Sequence, residues 1–336
     1  MGPSKTLRLA ATALVTALAV QSASSYTQVD VFDQSNFFKE FSFFTEPDPT
    51  NGFVKYVSAK IANDHGLAGY SKNSVYLGVD HANKTTSGRS SVRVTSNKAY
   101  TKGLFIADIQ HMPSGRTDAG SCGLWPAFWM FGPGWPSSGE IDIIEGVNTQ
   151  SSNAITLHTS SGCHMSNKGS LGSTKLVSSN CEGNAGCSQN TKATDNYGAG
   201  FNAAGGGVYA VEWADSSISV WFFSRDSSMA SSLTSSDAAP DTSDFGQPLA
   251  VFGGSSCDIS KHFKDNNLVF DTTFCGDWAG EVWDNDSTCS QLADSCEAYV
   301  GANPQAFANA YWLVNSIKVY QKKGSASKRV EKRFAA

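Results

Sequence analysis

An all-β sandwich of two antiparallel sheets is the fold class this sequence predicts, on three observations. Apolar residues recur in short alternating runs rather than at helical spacing. Glycine and serine clusters separate those runs. Charge is sparse, at 16% of 336 residues. With 40% hydrophobic and 11% aromatic residues the chain can fill the interior of one sandwich domain, a size all-β folds reach without splitting. The formal net charge of −5 offers no basic surface to nucleic acid or an anionic membrane, so neither is expected as a partner.

Residues 1–25 read as a signal peptide: Lys5 and Arg8, an apolar run over 9–20, then small polar residues over 21–25. The run is too short to span a bilayer. Secretion follows, and the eight cysteines (Cys122, Cys163, Cys181, Cys187, Cys257, Cys275, Cys289 and Cys296) are then expected as disulfides. Spacing does not fix the pairing; Cys181–Cys187 and Cys289–Cys296 are suggested by their short separations alone. The cysteines include no Cys-x-x-Cys pair and the histidines are scattered, so no zinc site is expected; no metal ligand set stands out, and the paired-acid chemistry argued below needs no cofactor. Asn83-Lys84-Thr85 and Asn285-Asp286-Ser287 fit the N-glycosylation triplet.

The body of the chain spans 26–323. Its first stretch is rich in phenylalanine (Phe32, Phe37, Phe38, Phe41, Phe43, Phe44, Phe53), read as core. Residues 74–79, 91–95 and 103–111 read as strands, the last apolar enough to be buried on both faces. Residues 113–121 form a loop. Trp125 and Trp129 flank Pro126 on one segment, and Trp135 sits in a Gly-Pro loop over 132–139. Residues 153–160 alternate, with His158 facing away from Ile155 and Leu157. Residues 161–207 read as a long ordered loop braced by cysteines. Residues 208–213 and 218–223 form a hairpin, 227–247 a loop, and 266–271 a buried strand leading to Trp278. Residues 288–300 carry the one helical pattern, and 311–321 close the fold as a strand. The basic segment 324–336 reads as a disordered tail.

The chemistry concentrates in Gly139-Glu140-Ile141-Asp142-Ile143-Ile144-Glu145-Gly146. On a strand, Glu140 and Asp142 share a face opposite Ile141 and Ile143. Strict alternation puts Glu145 with the isoleucines. A β-bulge at Ile143-Ile144 turns it back beside the other two acids. Without the extra residue the two glutamates stand roughly 13 Å apart at Cα. Leaning together, their carboxyl groups approach to roughly 5–6 Å, the spacing of a retaining glycosidase. Asp142 between them tunes the ionisation of Glu140. The adjacent Gly123-Leu124-Trp125-Pro126-Ala127-Phe128-Trp129-Met130 supplies aromatic faces that stack on sugar rings.

Together these two motifs resemble glycoside hydrolase family 16, in its fungal endo-1,3(4)-β-glucanase (laminarinase) branch. The resemblance runs from about Tyr26 to Gln321. It takes in Asp48-Pro49-Thr50-Asn51-Gly52-Phe53-Val54, Ile155-Thr156-Leu157-His158-Thr159, Phe274-Cys275-Gly276-Asp277-Trp278-Ala279-Gly280 and Ala310-Tyr311-Trp312. It implies a concanavalin A-like β-jelly roll with a concave substrate cleft. It also implies an endo-acting hydrolase of β-1,3 and mixed β-1,3/1,4 glucans that works with retention and as a monomer. Glu140 is then the nucleophile, Glu145 the acid/base and Asp142 the assistant. His158 bonds substrate or a catalytic carboxyl, and Trp278 stacks on a glucosyl unit with Trp125, Trp129 and Trp135 as further substrate contacts. The same residues also suit a transglycosylase. A non-catalytic lectin has no need of the acid pair.

Overall fold

The structure, a computed structural model, describes residues 26–115, 121–165 and 173–322. The signal-peptide and tail readings, over 1–25 and 324–336, lie outside the described residues.

Two eight-stranded sheets, antiparallel throughout, form the layers of a sandwich. One follows the order Ala250–Gly253, Ser217–Ser224, Gly207–Trp213, Gly103–His111, Trp312–Lys322, Ser74–Leu77, Ala68–Ser71. Tyr26–Asp33 also pairs with Trp312–Lys322. The other follows Thr174–Ser178, Cys187–Thr191, Ala154–His158, Glu140–Glu145, Leu124–Phe131, Asn266–Phe274, Val94–Tyr100, Phe41–Phe43. The acidic segment is thus an interior strand, held on both sides.

The core lies between the layers. Phe128, Met130, Ile141, Ile143, Ile144, Leu268 and Phe270 face Phe105, Ile109, Tyr209 and Val211. Each side chain of this size contributes about 1.5–3 kcal/mol on full burial. Gly103–His111 is buried on both faces as its composition predicts. Leu104 and Ile106 point outward under Leu233 of the helix Ser228–Thr234, in a second apolar cluster.

Several details differ from the sequence reading. Cys181–Cys187 is a disulfide, but Cys289 joins Cys122 and Cys296 joins Cys275; the fourth bond is Cys163–Cys257. The reason is that 288–300 is not one helix. Cys289–Gln291 is a single 3-10 turn, and Ser295 then caps a new helix, Cys296–Ala302, by accepting from the Ala298 N–H. The two cysteines sit on separate elements with different neighbours. The stretch 161–207 is less of a loop than expected, because Thr174–Ser178 and Cys187–Thr191 extend the second sheet and Gly198–Ala203 is helical. The strand predicted over 91–95 is split into Arg89–Ser91 and Val94–Tyr100. Asn83 and Asn285 are both exposed. Among the described residues no helix is long and apolar enough to cross a membrane.

Candidate active site

The bulge is present where the sequence places it. Along Glu140–Glu145 the pairing to Leu124–Phe131 reads Glu140↔Phe131, Ile141↔Met130 and Asp142↔Trp129. It then skips Ile143 and resumes at Ile144↔Phe128 and Glu145↔Ala127. Ile143 and Ile144 are both fully buried in the core. The extra residue costs one ladder position and returns Glu145 to the face of Glu140 and Asp142. Gly139 makes the entry to this strand possible. It has φ +74°, and an added Cβ would lie 2.3 Å from the Phe263 ring.

Direct cross-strand partners share a face, so the register lays out the floor around the acids. Trp125, Ala127, Trp129 and Phe131 stand on one side, with Asp271 and Thr273 beyond them. His158 and Thr156 stand on the other, with Ser188 beyond. Asp142 is 1% exposed at the centre, while Glu140 and Glu145 are partly exposed.

His158 is directly opposite Glu140 in register, yet its Nε2 lies 3.3 Å from Asp142 Oδ2. Its Nδ1 is 2.8 Å from the Gly183 carbonyl, which fixes that nitrogen as a donor. Burial lowers the affinity of this imidazole for a proton. The hydrogen bond and charge of Asp142, with the charge of Glu140, more than offset that and push its pKa to about 10. His158 is therefore an imidazolium paired with a carboxylate. Gly186, on the turn after Gly183, sits at φ +60°, where an added Cβ would lie 2.8 Å from His158 Cε1.

Both glutamates hold their protons more tightly than free carboxyls. Burial and the Asp142 charge push Glu140 up to about 8, opposed by His158 and by a hydrogen bond from the Trp135 side chain. The same two causes push Glu145 well above the usual range, opposed by a hydrogen bond from Trp125 Nε1 and by His158. The Trp125 bond to Glu145 Oε1 is 2.8 Å. The Asp142 charge contributes more to the rise of Glu145 than the Glu140 charge does. Nearer to both glutamates in sequence and in register, Asp142 tunes the pair from the middle.

The aromatic residues expected here gather around these acids. Trp278 meets Trp125 edge to face at 5.7 Å. It rides on the turn Gly276–Gly280, which begins after the Cys275–Cys296 bond. The segment after Asp48 pins this turn: Gly52 bridges to Cys275, and Asp277 N–H donates to the Thr50 carbonyl. Trp135 is 44% exposed, with its ring 6.4 Å from that of His158. Trp129 lies against Phe131 at 5.0 Å and under the Arg93 guanidinium at 5.0 Å, so it is held as part of the floor.

Sequence reasoning missed two features. Arg93 is buried between Asp48 and Asp271 on this floor, at 4.0 and 3.9 Å. Burial raises Asp271 to about 7 against the pull of Arg93. The second is Asn153, whose side chain bonds the bulge itself. The sequence shows only an asparagine at the start of an apolar strand, which says nothing of its backbone partners. Glu140, Asp142 and His158 also place one ligand atom each within 4.8 Å of one another, a spacing that suits a shared proton or a cation.

This site can do paired carboxyl chemistry on a sugar. Glu140 is the more ionisable glutamate, and Glu145 is the better proton store beside an aromatic surface.

Comparison with known proteins identifies the family. Residues 41–320 match the family described as "XgeA-like, catalytic GH16 domain". The chain is 44% identical over 317 residues to an endo-1,3(4)-beta-glucanase of Arthroderma benhamiae, covering 92% of this chain and 67% of that protein. It is 46% identical over 317 residues to a probable endo-1,3(4)-beta-glucanase of Aspergillus niger, covering 91% of this chain and 41% of that protein. The chain thus spans two thirds or less of these curated relatives. Among solved structures, the GH16 Laminarinase 16A of Phanerochaete chrysosporium, with beta-glucans in donor and acceptor sites, superposes with a TM-score of 0.80. That pair is 40% identical, over 88% of this chain and 99% of that one. An elongating family 16 beta-1,3-glucosyltransferase superposes at 0.78 and 44% identity, over 88% of this chain and 100% of that one.

Proposed function

The chain belongs to glycoside hydrolase family 16, and we propose that it is a secreted, endo-acting β-glucanase cleaving β-1,3 and mixed β-1,3/1,4 glucans with retention. One observation carries the reading: the bulge puts Glu140, Asp142 and Glu145 on one face of one strand, among Trp125, Trp135, His158 and Trp278. The catalytic domain spans 26–323, and its four disulfides suit an oxidising exterior. It acts as a monomer.

The Glu140 carboxylate attacks the anomeric carbon. The bond to the leaving chain breaks as Glu145 gives its proton to the departing oxygen. The resulting ester on Glu140 removes one negative charge from the cluster. Glu145, now ionised and held by Trp125, takes a proton from water, which attacks the anomeric carbon and returns Glu140 to a carboxylate. The His158 imidazolium opposes the Asp142 charge and favours the ionised form of Glu140.

The test is reducing-sugar release from laminarin, lichenan and cellulose by the wild type and Glu140→Ser. Release from the first two only, lost in the variant, supports the reading; release surviving in Glu140→Ser overturns the site assignment. A second reading, transfer of the glucosyl unit to another sugar, is favoured by the likeness to the elongating glucosyltransferase. Longer products from concentrated laminari-oligosaccharides identify it.

A further inference from the structure

The pairing between Glu140–Glu145 and Ala154–His158 runs only to Asp142↔Thr156. Past that point the strand carries its extra residue. The carbonyl of Ile143 and the amide of Glu145 flank Ile144 and leave the strand on the same side. One side chain takes both. Asn153 Nδ2 donates to the Ile143 carbonyl at 2.7 Å, and the Glu145 N–H donates to Asn153 Oδ1 at 2.8 Å. The amide thus stands in for a backbone peptide of the missing ladder.

Asn153 is itself fixed. It is 0% exposed. Its N–H donates to Thr191 Oγ1 at 2.9 Å, and its carbonyl accepts from the Thr191 N–H at 2.8 Å. The Tyr209 hydroxyl lies 3.3 Å from Nδ2 and spends its own proton on the Asn196 carbonyl at 2.5 Å, so it accepts from Asn153. The amide has one satisfactory orientation; flipped, it would set a donor against the Glu145 N–H.

We propose that Asn153 is a positioning residue for proton transfer, clamping the bulge so that Glu145 is aimed at the leaving oxygen. The inference rests on the acid/base role proposed for Glu145. Loss of the clamp lets the extra residue relax along the strand. Glu145 then swings from its Trp125 bond, while Glu140, inside the regular ladder, keeps its place.

The test uses Asn153→Asp, which turns the Ile143 donor into an oxygen, and Asn153→Ser, which shortens the side chain. Each is assayed on laminarin and on 2,4-dinitrophenyl β-laminaribioside, whose leaving group needs no proton, with and without azide. We expect kcat on laminarin to fall about 30–100-fold with KM changed less than about threefold. The bond-breaking step on the aryl substrate stays within about threefold of wild type, and azide restores its turnover as glycosyl azide. Equal losses on both substrates, or wild-type kcat and pH profile in a folded variant, overturn the proposal. Should neither variant fold, Tyr209→Phe removes one bond from the Asn153 amide. The same leaving-group-dependent loss, about threefold, is then expected, and an equal loss on both substrates overturns the proposal. Glu145→Ala is run alongside. If it shows neither leaving-group dependence nor azide rescue, it is the acid/base role of Glu145 that fails, not the clamp.

Discussion

The indole N–H of Trp125 donates to Glu145 Oε1 at 2.8 Å from the strand paired with that of Glu145. This tryptophan is expected from the sequence as a sugar contact, and the structure gives it a carboxyl to hold. The bond favours the ionised form of Glu145. Trp125→Phe keeps the edge contact with Trp278 and loses the bond. The alkaline limb of kcat/KM should move up by about half a pH unit to one unit, and kcat should fall about tenfold as Glu145 becomes a worse-aimed base. A pH–rate series on laminarin checks this; an unmoved alkaline limb removes the bond from the mechanism.

Asp142 and His158 act on the two glutamates with opposite sign. The Asp142 charge raises both and the His158 charge lowers both. Asp142→Asn should therefore shift both limbs of the pH–rate profile to lower pH, by about one unit. His158→Gln should shift both to higher pH. Activity falls in each variant, but the direction of the shift separates charge tuning from simple damage. Shifts of the same sign in both variants contradict the arrangement.

Stability should fall as the pH rises through neutrality. Glu140 is raised from 4.5 to about 8 and Glu145 is raised further, so the folded state keeps protons that the unfolded chain releases above about 4.5. The stabilisation is fully present below the unfolded value and is lost as pH climbs through the folded one. His158, raised from 6.5 to about 10, adds a loss of the same sign over a higher window. Melting temperature should peak near pH 5 and decline toward pH 8. Glu145→Gln should flatten that decline and melt roughly 2–4 °C higher than wild type at pH 8. Thermal scans across pH decide; a wild-type melting point that rises from pH 5 to 8 contradicts the shifts.

The Cys275–Cys296 bond closes a loop of sequence separation 21 around the turn that carries Trp278. Replacing both cysteines with serine should cost about 3 kcal/mol of stability. It should also raise KM for laminarin severalfold with a smaller change in kcat, since the turn presents Trp278 but none of the acids. Calorimetry and Michaelis–Menten series measure the two effects. A loss confined to kcat would place Trp278 elsewhere in the mechanism.

The catalytic strand and its bulge were legible because one short segment holds both the alternation and its violation. Glu145 falls on the wrong face unless a residue is skipped. Asn153 was not legible, since its partners are backbone groups of another strand that only the bulge leaves to a side chain. The partner of Cys289 was hidden for a similar reason: Cys122 is 167 residues away in sequence. The strands Thr174–Ser178 and Cys187–Thr191 were read as loop because polar residues fill them. They lie at the sheet's margin, where strands need little apolar side chain.

The skipped residue at Ile143 also says how such a site is gained or lost over generations. Every substitution along this strand changes one side chain and leaves Glu145 pointing the same way. Deleting the codon for Ile143 or Ile144 would remove the bulge together with its extra residue, leaving Glu140, Asp142 and Glu145 at every second position and still on one face. Inserting one into that shorter strand keeps Glu145 on the acid face only if the ladder skips a residue, and otherwise buries its carboxyl among the isoleucines. The two-acid arrangement thus exists at two strand lengths one codon apart, and the longer one depends on the ladder skipping a residue.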